Sequence, residues 1–80
     1  MLIFKEKNYS SHIFSNITHL KMNISPLTKS VIEFTVYTPV GKSNFFYEYA
    51  DTTTAVAKYE EFMKLIQAVD YHEHTVVIEE

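Results

Sequence analysis

Strict alternation over residues 30–38 is the clearest pattern in the chain. Ile32, Phe34 and Val36 share one face, and Glu33, Thr35 and Tyr37 share the other, which is the period of a β-strand. Residues 43–50 repeat it, with Phe45, Tyr47 and Tyr49 on one face and Phe46, Glu48 and Ala50 on the other. Thr38-Pro39-Val40-Gly41-Lys42 lies between them. Pro39 presets a turn and Gly41 accepts positive φ without steric cost, so the pattern predicts a hairpin. Two registers compete. A three-residue loop pairs Thr38 with Lys42 and sets Ile32 opposite Glu48. A four-residue loop pairs Val36 with Phe45, Phe34 with Tyr47 and Ile32 with Tyr49. The second gathers the large apolar side chains on one face, at the cost of setting Glu33 opposite Glu48, and burial favours it.

Over residues 52–69 the period changes to that of a helix. Ala55, Tyr59, Phe62, Ile66 and Val69 recur at spacings of four and three, with Leu65 on the flank, forming one apolar stripe. Asp51 is placed to cap the first turn by accepting from Thr53 or Thr54. Glu60 and Lys64 make a favourable i,i+4 pair on the polar side. The stripe needs a sheet to lie on.

Shorter segments read less cleanly. Residues 2–7 predict a short strand and Asn8-Tyr9-Ser10-Ser11 a turn. In residues 13–25, Ile13, Ile17, Leu20 and Ile24 have helical spacing, whereas Leu20, Met22 and Ile24 alternate with His19, Lys21 and Asn23. The Ile, Thr, Asn and Ser content disfavours a helix, so a strand is predicted over 16–25, ended by Ser25-Pro26. Residues 74–79 predict a last short strand. Strands followed by one helix imply an α+β fold: an antiparallel sheet of four to five strands, with the helix packed on one face.

Composition narrows the function classes. A chain of 80 residues accommodates one domain, 1–80, with a thin core. Six Phe and six Tyr argue against disorder. With no Cys there is no disulfide framework, thiolate metal site or Cys nucleophile. Lys5, Glu6 and Lys7 put charge where a signal peptide carries its apolar stretch, and no apolar run is long enough to span a membrane. A cytoplasmic protein is expected. All seven basic residues are Lys and the net charge is -3. Without the bidentate Arg fork, nucleic acid is disfavoured as a partner. Small size and a Lys-, Asn-, Ile- and Tyr-rich composition fit a phage or mobile-element origin.

Candidate chemistry is sparse. His72 and His74, two apart on a strand, would project to one side, but such a pair is a weak ligand set, and neither a metal site nor a cofactor is expected. Asp51 is better explained as a helix cap. Glu33 and Glu48 read as a solvated cross-strand pair rather than an acid–base pair. A single Gly excludes a phosphate-cradling loop, and the chain reads as non-enzymatic.

More telling is the sheet face turned away from the helix. It carries Thr35, Tyr37, Asn44 and Phe46, with Lys42 at the turn. Such a patch can contact a protein, stack unpaired bases, or lie beneath residues 1–25 as a second packing layer. The expected function is a small non-catalytic protein-binding module, acting as a regulator, inhibitor or accessory subunit. Single-stranded nucleic-acid binding is the alternative. A homodimer is also expected, because the core is small and an edge strand invites pairing.

Overall fold

The computed structural model describes residues 1–8 and 10–80. Its elements run β1 (Leu2–Lys5), β2 (Ser11–Phe14), β3 (His19–Ile24), β4 (Val31–Thr38), β5 (Gly41–Glu48), α1 (Thr52–Ala68) and β6 (Val76–Glu79). The class is α+β as predicted, but the single sheet of four to five strands is not what forms. The strands divide into two three-stranded sheets, β2-β1-β6 and β3-β4-β5. The second is antiparallel throughout, while β1 runs parallel to β6.

The reason for two sheets lies in how much apolar surface the hairpin offers. The inner face of β3-β4-β5 carries Leu20, Met22, Ile24, Ile32, Phe34, Val36, Phe45 and Tyr47, brought into line by the strand registers. One helix covers only part of that. α1 lies against β3 and β4, with the Phe62 ring 6.0 Å from Phe34 and 6.1 Å from Tyr47. The first sheet takes the β5 side. Its inward side chains Leu2, Phe4, Val76 and Ile78 are buried. Phe4 packs 5.0 Å from Phe34 and 4.7 Å from Phe45, centroid to centroid. Helix and first sheet therefore share one face of the second sheet. Phe62 and Phe4 meet its rings tilted or edge-on, whereas Phe14 stacks on Phe45 with centroids 6.1 Å apart.

Tyr47 sits at the seam. Its ring is fully buried, and its hydroxyl lies 2.9 Å from the Lys5 carbonyl and 3.0 Å from that of Ile78. One proton is shared between two acceptors, on the neighbouring strands β1 and β6. Burial, reinforced by the nearby Tyr49 and Glu80, pushes the Tyr47 phenol well above its ordinary pKa. Burial does the same to Tyr49.

The hairpin register differs from the predicted one. Thr38 pairs with Gly41, Val36 with Ser43, Phe34 with Phe45 and Ile32 with Tyr47, leaving a two-residue loop, Pro39-Val40. Gly41 has φ +145°, in the region closed to most side chains. The shift from the predicted register is two residues, so every side chain keeps its face. Glu33 now lies opposite Phe46, not Glu48, and the anticipated like-charge pair does not form.

Local chemistry explains the other boundaries. The helix starts as predicted, with the Thr54 N–H donating to Asp51 Oδ1 at 2.7 Å. Its ion pair is Lys58 with Glu61 at 3.9 Å, in place of the expected Glu60 with Lys64. β3 begins only at His19 because Asn16 adopts φ +54°, which interrupts the extended chain. β2 was not foreseen; it begins at Ser11, the last residue of the predicted turn at 8–11, of which Tyr9 lies outside the described residues. β6 begins at Val76 rather than 74 because Asp70 organises a turn: its carboxylate accepts from His72 N–H at 2.9 Å and its carbonyl from His74 N–H at 2.9 Å. His72 and His74 thus lie in a turn, not side by side on a strand.

Candidate functional site: the open face of the second sheet

Strand pairing sets the outer face of β3-β4-β5 as rows running across the three strands. Going from the hairpin tip toward the helix, the rows are His19–Tyr37–Lys42, Lys21–Thr35–Asn44 and Asn23–Glu33–Phe46. Among the described residues, nothing from the segment before β3 covers this face. β1 and β2 belong to the other sheet, on the opposite side, and β3 widens the face by a strand.

Each predicted site residue can now be placed. Phe46 is 52% exposed, a large apolar ring standing in solvent. Lys42 and Asn44 are exposed and Tyr37 is half-buried. Thr35 is the exception, at 7% exposure. It is the middle residue of the middle strand, flanked by Lys21 and Asn44, and its short side chain lies beneath theirs. Thr35 supports the patch but offers little surface to a partner.

The face is wired by a few side-chain contacts. The Asn44 Nδ2 donates to Glu33 Oε2 at 3.1 Å, a diagonal cross-strand pair. The His19 ring lies 5.7 Å from Tyr37 at an interplanar angle of 36°. His19 and Lys21 are not assigned to this face by the sequence reading, although the alternation of His19, Lys21 and Asn23 against Leu20, Met22 and Ile24 carries the signal. They make the hairpin-tip half of the face basic and aromatic. The other half has Glu33, Phe46 and, beyond them, Glu48.

Beside Phe46 the face falls into a groove of about 570 Å³, lined by Asn23, Ile24, Pro26, Val31, Glu33 and Phe46 among others. Its far wall is the β3–β4 loop. That loop is closed by the Ser25 N–H on the Val31 carbonyl at 2.8 Å and the Lys29 N–H on the Ser25 carbonyl at 2.9 Å. Lys29 takes φ +56° to complete it. Thr52, at the start of α1, ties the loop down by donating to the Thr28 carbonyl at 3.4 Å. The groove is therefore framed by hydrogen-bonded backbone, and Leu27 on the same loop stands 93% exposed. Neither the loop nor the groove was legible in the sequence.

Other candidate chemistry does not assemble on this face. His12 lies in the first sheet, its ring stacked on Phe45 at 4.7 Å and its Nε2 3.3 Å from Glu6 Oε1. Among the described residues, no three His, Cys, Asp or Glu side chains cluster as a metal site would require. No described helix is long and apolar enough to cross a membrane. No known protein family, curated protein or solved structure matches the chain.

Proposed function

We propose that the chain is a small non-catalytic protein-binding module, a regulator, inhibitor or accessory subunit, that engages its partner through the outer face of β3-β4-β5. The observation that carries this reading is the half-exposed Phe46 at the lip of an apolar groove, on a face that no other element covers among the described residues. An aromatic ring beside a concavity with a polar rim is the anatomy of an interface anchor. Asn23, Glu33 and Asn44 provide that rim. Glu33 is already engaged by Asn44, a pairing that suits a rim residue better than a proton-transferring one. Affinity capture with the immobilised chain, run beside a Phe46→Ser variant of unchanged circular dichroism, tests the proposal. One protein should be retained by the native chain at moderate salt and lost by the variant. Retention that ignores the substitution, or no retained protein at all, refutes it.

A second reading rests on the other half of the face. Tyr37 lies between His19 and Lys42, with Lys21 in the next row, an arrangement that suits stacking of an unpaired base with cations close to the phosphates. The net charge of -3 and the absence of Arg rank it below the first. Fluorescence anisotropy with short single-stranded oligonucleotides should then show binding that weakens steeply with salt. A flat titration at low salt removes this reading.

A further inference from the structure

The geometry points to β5 as the strand through which two copies of this chain pair, antiparallel and centred on Asn44, into one continuous six-stranded sheet. The argument begins with backbone hydrogen bonds. The Tyr49 N–H donates to the Ser30 carbonyl at 2.9 Å. In an antiparallel pair, hydrogen-bonded and non-bonded positions alternate. This fixes Ile32–Tyr47, Phe34–Phe45 and Val36–Ser43 as the bonded pairs of the β4–β5 ladder. The N–H and C=O groups of Lys42, Asn44, Phe46 and Glu48 must then point away from β4, to the free edge. Glu48 confirms the phase: its N–H donates outward to Glu80 Oε2 at 3.2 Å. Among the described residues nothing takes the groups of Lys42, Asn44 and Phe46.

The other edges are partly capped or short. Alternation from the Ser25–Val31 bond turns the Met22 carbonyl outward on β3, and there Tyr59 of α1 donates to it at 3.3 Å. β2 and β6, the edges of the first sheet, are four residues each, against eight in β5. An open edge of that length is a template for another strand.

Charge selects the occupant. Along β5 the cation, Lys42, stands at the hairpin end, whereas Phe46, Glu48 and the neighbouring Glu33 stand at the other. A second copy laid antiparallel brings these ends together. With Asn44 opposite Asn44 of the second copy, each Lys42 faces the other copy's Phe46 ring, with Glu33 one strand further on. A lone edge lysine ordinarily repels a like strand; here it meets an aromatic face and an acid instead. Moving the register to set Lys42 against Glu48 would need the Glu48 N–H, which Glu80 already occupies. Pairing at the edge extends the sheet in its own plane, so the outer face stays open. The inference does not rest on the proposed partner binding.

Crosslinking tests the register directly, because the chain contains no cysteine. In the paired state, the two Asn44 Cα atoms would be about 5.5 Å apart, within disulfide reach. The two Lys42 Cα atoms would be about 14 Å apart. Under mild oxidation, Asn44→Cys should give a covalent dimer rapidly and Lys42→Cys slowly. Light scattering of the native chain should give twice the monomer mass at high concentration. Asn44→Pro, which takes no N–H from the β4–β5 ladder and otherwise loses only the side-chain bond to Glu33, should return it to the monomer with its circular dichroism unchanged. A monomeric native chain at all concentrations, equal crosslinking of the two cysteine variants, or a dimer that survives Asn44→Pro overturns the inference.

Discussion

At the scale of single residues, Tyr47 concentrates the largest number of roles. Its ring fills the space between helix and first sheet, and its hydroxyl bridges the Lys5 and Ile78 carbonyls. The Lys5 carbonyl also accepts from the Glu80 N–H at 2.9 Å. Loss of the hydroxyl therefore leaves that acceptor partly satisfied. Tyr47→Phe should cost the net worth of a typical hydrogen bond, about 0.5–1.5 kcal/mol, and no more; urea unfolding at pH 7 measures it. The phenol also makes stability depend on alkaline pH. Folding raises the pKa of Tyr47 and Tyr49 through burial, so the folded chain holds these protons more tightly than the unfolded chain. Their contribution is complete below about pH 10, the unfolded value, and is lost as pH rises above it. The urea midpoint should fall above that pH, and Tyr47→Phe should make the fall shallower. An unchanged alkaline slope in the variant would mean that Tyr47 ionises as freely folded as unfolded.

Elements show which signals are local and which are not. α1 was legible because its stripe and its cap lie within one stretch: Ala55 to Val69, preceded by Asp51. The Thr54 N–H holds the Asp51 carboxyl below its usual pKa. The cap's contribution is thus present above about pH 4, the unfolded value, and fades as pH falls through the depressed one. Asp51→Ala should lower the melting temperature at pH 7, with the difference from the native chain shrinking toward pH 2; calorimetry across that range checks it. The hairpin was legible in face but not in register. The predicted and observed pairings differ by two residues and bury the same side chains, so burial had no power to choose between them. The turn decided. Gly41 at φ +145° has nothing within 4 Å of where a Cβ would stand, so Gly41→Ala meets backbone strain alone. A loss of about 1–3 kcal/mol is expected in chemical denaturation. Of the candidate site, Tyr37, Lys42, Asn44 and Phe46 followed from period-2 alternation in one hairpin. Alternation also places Thr35 on this face, but it reports which face a side chain takes and not that its neighbours overshadow it, as they do here. The groove escaped because it depends on how the Ser25–Ser30 loop folds back, through Lys29 at positive φ and a bond from Thr52.

For the whole molecule, the informative feature is that β1 and β6, from opposite ends of the chain, pair in parallel. No pattern within either segment announces that partnership, which is why the first sheet could not be read from the sequence. The β2-β1-β6 sheet has no core of its own. Leu2, Phe4, Val76 and Ile78 bury themselves against Phe34, Phe45, Tyr47 and their neighbours in the other sheet. Separated from it, three short strands would expose that apolar face to water with nothing to bury it. The two sheets should therefore unfold together. Hydrogen exchange gives the test: the Ile78 amide on the terminal strand and the Phe34 amide in the centre of β4 should report the same opening free energy, equal to that of global unfolding. Phe4→Ala should lower both equally, by about 3–5 kcal/mol, a large part of the roughly 4–12 kcal/mol available to a chain this size. Faster exchange confined to β1 and β6, in the native chain or in Phe4→Ala, would show that the first sheet opens by itself. The outer face of β3-β4-β5 would then rest on a helix alone, and Phe46 and its groove would keep their shape only as long as that helix held.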